Sequence, residues 1–200
     1  MAFLILPPTR IETQRVILRL CGPDDAPLLR TAIDTSLEHL RAWMPWAMKE
    51  PSSLEETQQR IARGRARFEA GEDFQYAVFT QAEDRIIGGA GLHRRAVPKS
   101  LEIGYWVHTD HVGQGLATEF VRALTVTGLA VPNIERIQID CDPRNHRSRR
   151  VSEKLGYRVV ELRRGDKVDP RGKPRDTVVY EITSLSQLTP EGDLVHRPFS

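Results

Sequence analysis

The stretch 101–118, LEIGYWVHTDHVGQGLAT, carries the residue pattern with the clearest chemical meaning. Ile103, Tyr105 and Val107 alternate with Glu102, Gly104, Trp106 and His108, which predicts a strand over 101–108. Gly113 and Gly115 follow. Leu116, Phe120, Val121 and Leu124 then recur at helical spacing, which starts a helix near Gly115. A strand, a glycine loop and a helix start in direct succession leave unpaired backbone N–H groups at the helix end. That end also carries about half a positive charge from the aligned peptide dipoles. Such a place accepts a phosphate, and glycines let the anion approach the backbone closely. The spacing is not Gly-x-x-x-x-Gly-Lys-Ser/Thr, which excludes a nucleoside-triphosphate loop, nor Gly-x-Gly-x-x-Gly, which excludes a dinucleotide fingerprint.

Other reactive side chains point to less. Asn145 and Ser148 are three apart and share a helix face beside Val151 and Leu155; as a helix cap and a filler they need no chemistry. Cys141 stands between Asp140 and Asp142, whose charges disfavour a thiolate, so it reads as a buried strand cysteine. His93, His108, His111 and His146 have no metal-ligand spacing with cysteines or carboxylates, and no metal is expected. The basic run Arg144, His146, Arg147, Arg149 and Arg150 is either a solvated helix face or a holder of phosphate or RNA.

Two hundred residues with 40% hydrophobic content suit one domain with a sizeable core. A net charge of +2 does not suggest a dedicated nucleic-acid binder. The longest apolar run, near 3–6, is far too short to span a bilayer, and no signal peptide is read at the N-terminus. Two distant cysteines, Cys21 and Cys141, point to a reduced, cytoplasmic setting.

The elements that must position the loop follow from patterning. Strands are expected at 15–20, 74–80, 85–93, 101–108, 134–141, 157–163 and 177–183. The second and third are separated by a short turn and form an antiparallel hairpin; 101–108 and 134–141, joined through a helix, run parallel. Helices are expected after Asp24 and Asp25, over 54–70 behind a Ser53/Glu56 capping box, after Gly115, and over 145–155 with Gly156 as the stop. The arginines of the second helix (Arg60, Arg63, Arg65, Arg67) read as a solvated face. Trp43 and Trp46 flank Pro45 and do not fit one regular helix. They either cover the core or wall a pocket. Residues 164–176 read as a polar loop and 185–200 as a loose tail. The expected architecture is α/β (α+β): a mixed, largely antiparallel sheet of six to seven strands flanked by helices. Its division is an arm at 1–11, a domain at 12–184 and a tail at 185–200.

Val112-x-x-Gly115-x-Ala117 resembles the pyrophosphate loop of the GNAT N-acetyltransferases, Arg/Gln-x-x-Gly-x-Gly/Ala, with Val112 in place of the first residue. SLEHLRAWMPWA at 36–47, EIGYWV at 102–107, GQGLATE at 113–119, CDPRNHRSRRVSEKLGY at 141–157 and DTVVY at 176–180 occur in that order. Together they resemble the RimJ/RimL branch of that family over roughly residues 12–184. The resemblance implies a sheet splayed between its two central parallel strands and acetyl-CoA as co-substrate. It implies a pyrophosphate over the amides of Gly113, Gln114, Gly115, Leu116, Ala117 and Thr118, and a pantetheine arm along Trp106, Val107 and His108. A bulge is the usual device that opens such a strand. Ser148, with Asn145 at the same helix start, is implied beside the coenzyme sulfur as proton donor to the leaving thiolate. Glu102 is the carboxylate best placed to take the amine's proton through water; a surface or ion-paired glutamate is its plainer reading. Trp43 and Trp46 would border the acceptor, a primary amine on a protein N-terminus or a small molecule. A non-catalytic acyl-CoA-binding or partner-binding module, suggested by Val112, is the alternative. The apolar arm and the tail suit a homodimer.

Overall fold

The computed structural model describes residues 5–169 and 171–191. Residues 1–4 of the expected arm, with Phe3 and Leu4 of its apolar run, and residues 192–200 of the expected tail lie outside the described residues.

Eight strands form one sheet: β1 (Arg10–Glu12), β2 (Val16–Arg19), β3 (Asp73–Thr80), β4 (Ile86–Arg94), β5 (Ser100–Val107), β6 (Arg136–Cys141), β7 (Arg158–Val168) and β8 (Pro174–Ile182). Their order is β1-β2-β3-β4-β5-β6-β8-β7. The strand beyond the expected six or seven is β1, three residues that pair with β2 at the sheet edge. Every pairing is antiparallel except β5 with β6.

Four α-helices flank the sheet: α1 (Ala26–Arg41), α2 (Leu54–Glu69), α3 (Leu116–Leu129) and α4 (His146–Leu155). Phe120, Val121 and Leu124 of α3 bury against Leu101, Ile103, Ile137 and Ile139, the strand residues of one face. Ala32 of α1 packs on Ala77 and Phe79, which point to the other face. The α2 start is the predicted capping box: the Glu56 amide donates to Ser53 Oγ at 3.1 Å, and the Ser53 amide donates to Glu56 Oε2 at 2.6 Å. Gly156 ends α4 in the left-handed region at φ 89.

Three expectations change. Residues 164–176 are not a loop; β7 and β8 run through most of them and leave only a short turn, because cross-strand charges such as Arg164 Nη1 to Asp176 Oδ2 at 2.7 Å stabilise a polar hairpin. The start of the tail is packed: Leu188 is buried, and Arg122 Nη1 donates to the Thr189 carbonyl at 2.6 Å. The bulge is not on β5, whose pairing with β4 is regular from Leu101 to Val107; register shifts lie between β3 and β4, at Val78 and Phe79, and at two places along the β7–β8 pairing. The opening in the sheet comes from divergence instead. β5 and β6 pair only at Ser100 with Arg136, Leu101 with Ile137 and Glu102 with Gln138, and then separate.

Candidate functional site

The divergence decides what the C-terminal half of β5 exposes. The His108 amide donates to the Ile87 carbonyl at 2.9 Å. Hydrogen-bonded and non-bonded pairs alternate along an antiparallel ladder, so the amides of Tyr105 and Val107 point away from β4. They point toward β6, which has already left. This is a strand edge without its neighbour, next to the glycine loop.

In that loop Gly113 and Gly115 adopt φ 79 and φ 78, where a side chain would be strained. Among the described residues the first amide of α3 to find an acceptor is that of Glu119, which donates to the Gly115 carbonyl at 3.2 Å. The amides of Gly113, Gln114, Gly115, Leu116, Ala117 and Thr118 are therefore uncommitted, at the positive end of a 14-residue helix. Arg15 braces the loop through Nη1 to the Gln114 carbonyl at 2.8 Å and Nε to Glu119 Oε2 at 2.6 Å. Burial pushes the Glu119 carboxyl up, but hydrogen bonds from Thr13 and Arg15 outweigh it and hold it below its usual range. Its charge is thereby compensated by Arg15 rather than set against an incoming anion.

A cavity of about 940 Å³ opens beside the split. Gly89, Gly104 and Trp106 line it from one sheet face and Tyr105, Ile139 and Cys141 from the other, so it runs through the gap between β5 and β6. Ser148 and Asn145 reach it from the start of α4. Ser148 Oγ lies 3.0 Å from the Tyr105 hydroxyl, and Asn145 Oδ1 accepts from the Ser148 amide at 3.1 Å, capping the helix. Burial pushes the Tyr105 phenol far above its usual range and the Cys141 thiol up to about 11, so both keep their protons. Glu102 also lines the cavity, with its two oxygens on Arg95 at 3.2 and 3.3 Å.

The remaining candidates divide. Trp43 and Trp46 line the cavity, and Trp46 meets Trp106 edge to face at 6.4 Å. Trp106 thus stands in the wall beside α1, on the face opposite Tyr105. Gly89 makes that possible, since a Cβ there would lie 2.4 Å from the indole Nε1. Val107 packs against the core. His108 braces the entry instead of facing the cavity: Nε2 lies 2.7 Å from Thr35 Oγ1, Nδ1 accepts from the Asp110 amide at 3.2 Å, and burial lowers its pKa. Of the basic run, Arg144 is tied to Asp142 at 2.7 Å and Arg149 to Glu153 at 3.4 Å. Arg60, Arg63 and Arg65 of α2, read from sequence as a solvated face, line the cavity, as do Lys167 and Arg175 of the β7–β8 hairpin. Sequence patterning missed Tyr105 as a partner of Ser148, because strand alternation marks an inward tyrosine only as core.

A strand edge left open by divergence, a glycine loop with spare amides at a helix start, and a hydroxyl pair between them agree with what a family model recognises. The Acetyltransferase (GNAT) domain matches residues 15–158, most of the chain. The chain belongs to the GNAT acetyltransferase family. Its relatives include the probable N-acetyltransferase YjcK of Bacillus subtilis, 33% identical over 52% of this chain and 59% of that protein. The putative ribosomal N-acetyltransferase YdaF of Bacillus subtilis is 27% identical over 84% and 91%. The [ribosomal protein uS5]-alanine N-acetyltransferase of Escherichia coli is 25% identical over 90% and 93%. The fold is that of RimL, a ribosomal L7/L12 α-N-protein acetyltransferase solved with coenzyme A (TM-score 0.78, 20% identity, 91% of this chain and 99% of that one). It is also that of the microcin C7 self-immunity acetyltransferase MccE solved with acetyl-CoA and AMP (0.80, 17%, 90% and 98%). The co-substrate of a GNAT enzyme, acetyl-CoA, fits this site: the diphosphate would meet the amides of 113–118 and the amide-rich arm the open edge of β5.

Proposed function

We propose that this GNAT enzyme transfers the acetyl group of acetyl-CoA directly to a primary amine at a protein N-terminus. The observation that carries the reading is the set of uncommitted amides from Gly113 to Thr118 beside the unpaired edge at Tyr105 and Val107. Acetyl-CoA supplies a thioester carbonyl and a thiolate leaving group. The chain supplies the rest. An amide at Tyr105 or Val107 would stabilise charge on the carbonyl oxygen. Ser148 would protonate the departing sulfur, restocked by Tyr105 at 3.0 Å. Glu102 would draw the ammonium into the cleft and lead its proton away through water. Trp43 and Trp46 would wall the acceptor. A protein acceptor is supported by the names of YdaF and the uS5-alanine enzyme.

The same relatives support a cytoplasmic setting, and no helix among the described residues is long and apolar enough to cross a membrane. A homodimer is supported by the outer strand β7, which exposes Val159, Val160, Leu162 and Val168. The catalytic unit is proposed as 12–184. Incubation with acetyl-CoA and a panel of N-terminal peptides and small amines, with a thiol reagent reading free coenzyme A, tests the function. Turnover on at least one peptide is expected. Stabilisation by coenzyme A without turnover on any amine would leave a binding module instead.

A further inference from the structure

One cluster of titratable groups in the cavity wall has no part in the steps above. His93, near the end of β4, lines the cavity. Its Nδ1 lies 2.5 Å from Asp73 Oδ1. Asp73 is buried, and its other oxygen accepts from Gln75 Nε2 at 2.9 Å and lies 3.2 Å from Arg67 Nη1. Burial alone would raise the Asp73 carboxyl, but His93, Gln75 and Arg67 hold it low and charged. The ring lies over two opposed glycines. A Cβ on Gly91 would stand 2.8 Å from its Cε1, and one on Gly104 would stand 3.0 Å from its Nε2. Those positions keep room for the imidazole on the sheet surface. A charged carboxylate on Nδ1 fixes the proton there and leaves Nε2 as the lone pair. Among the described residues Nε2 has no hydrogen-bond partner.

From α2, Arg67 reaches Asp73, and Arg60 and Arg63 line the same cavity; from β5 and its approach come Glu102 and Arg95. Glu102 stands directly opposite His93 in the ladder, with both oxygens on Arg95. Arg94 turns to the other face and covers the Phe74 ring at 5.8 Å. Of the two nearby carboxylates, Asp73 touches the ring and Glu102 stands across the ladder from it, and each is held by an arginine.

We propose that His93 is the base that receives the acceptor amine's proton, with Asp73 as its positioning residue. The proposal rests on the acetyltransferase reading. An ammonium drawn in by Glu102 gives one proton through water to His93 Nε2, which later returns it to solvent. The lone pair so freed forms the N–C bond while the C–S bond breaks. The second proton leaves nitrogen through water and returns to the Ser148–Tyr105 hydroxyl pair, replacing the one given to sulfur, so the step releases free coenzyme A thiol and one proton by way of His93. Imidazole suits the task because it exchanges protons near neutral pH, where a free alkylamine is mostly charged.

The test is the pH profile of kcat/KM for a turned-over amine in the wild type, H93Q and D73N, with thermal stabilisation by coenzyme A as the check on folding. H93Q is expected to lose about 100-fold or more near pH 7. The loss should shrink at alkaline pH, where the amine arrives neutral, and stabilisation by coenzyme A should be unchanged. D73N is expected to lower kcat less than H93Q does and to leave KM near the wild type, since the carboxylate that fixes the ring and its tautomer is gone while the cavity wall stays. H93Q within threefold of the wild type with the same profile would overturn the proposal. So would a loss confined to KM with an unmoved profile. Should H93Q fail to take up coenzyme A, D73N decides, and an unchanged kcat overturns the idea. A wild type that acetylates no amine would instead sink the acetyltransferase reading itself.

Discussion

Ser148→Ala isolates the leaving-group end of the site. The Ser148 amide, not its hydroxyl, satisfies the Asn145 cap, so the helix start survives the change. What is lost is one O–H donor facing a sulfur that becomes charged as the bond breaks. A hydrogen bond to a charged group is worth about 1.5–3 kcal/mol, which converts to a fall in kcat of roughly 10- to 150-fold. The KM for acetyl-CoA should stay near wild type, because the diphosphate and the pantetheine arm bind elsewhere. Tyr105→Phe tests the relay. Its hydroxyl lies 3.0 Å from Ser148 Oγ and 3.4 Å from the Ser148 carbonyl, and burial keeps it protonated, so it can restock the serine. If the two act in series, the double variant should be no slower than Ser148→Ala alone. Single-turnover kinetics with a thiol readout separate chemistry from product release. Equal rates for Ser148→Ala and wild type, or strictly additive losses in the double variant, would refute the relay.

Two further outcomes follow from the frame around the cavity. Glu50, 3% exposed in its side chain, lies between Arg30 Nη1 at 2.7 Å and Arg60 Nη1 at 2.6 Å. Burial pushes its carboxyl up, but Arg60, Arg30 and Ser52 outweigh this and bring it down to about 2. A folded-state pKa below the unfolded value gives stability that is present above the ordinary carboxylate range and is lost as pH falls toward about 2. Glu50→Gln should cost about 3 kcal/mol at neutral pH and flatten the dependence of Tm on pH below 5, read by thermal melts across pH. Gly156→Ala would add a Cβ 2.2 Å from the Gln187 carbonyl at a φ of 89, costing about 1–2 kcal/mol from backbone strain alone. Calorimetry should show Tm lower by roughly 4 °C or more, with the packed start of the tail released to proteolysis.

The parts of this structure written locally were legible in the sequence. The Ser53/Glu56 box, the stop at Gly156, the β3–β4 hairpin and the strand–glycine loop–helix run all depend on residues within a few positions of one another. The five motifs in order led from there to the family. Features set by distant neighbours were not legible. The β7–β8 hairpin is exposed on most of its outer strand, so its composition reads as loop, while its support comes from cross-strand charges and from Asp140, which meets Lys167 at 3.1 Å. His108 reads as a ligand contact until Thr35, 73 positions away, is seen against its ring. His93 was legible only as a histidine without metal spacing; its meaning needs Asp73 from the adjacent strand and the glycines beneath it. The arginines of α2 look solvated in helical projection because nothing local says that a cavity lies under them.

In the proposed mechanism the backbone amides at the turn before α3 take hold of a diphosphate. Backbone-amide NMR spectra recorded while coenzyme A is titrated measure this directly. The amides of Gly113, Gln114, Gly115, Leu116, Ala117 and Thr118 should show the largest shifts, followed by Tyr105 and Val107, and the titration should saturate at one coenzyme per chain. Saturable binding that leaves 113–118 unshifted, or no binding at all, would contradict it.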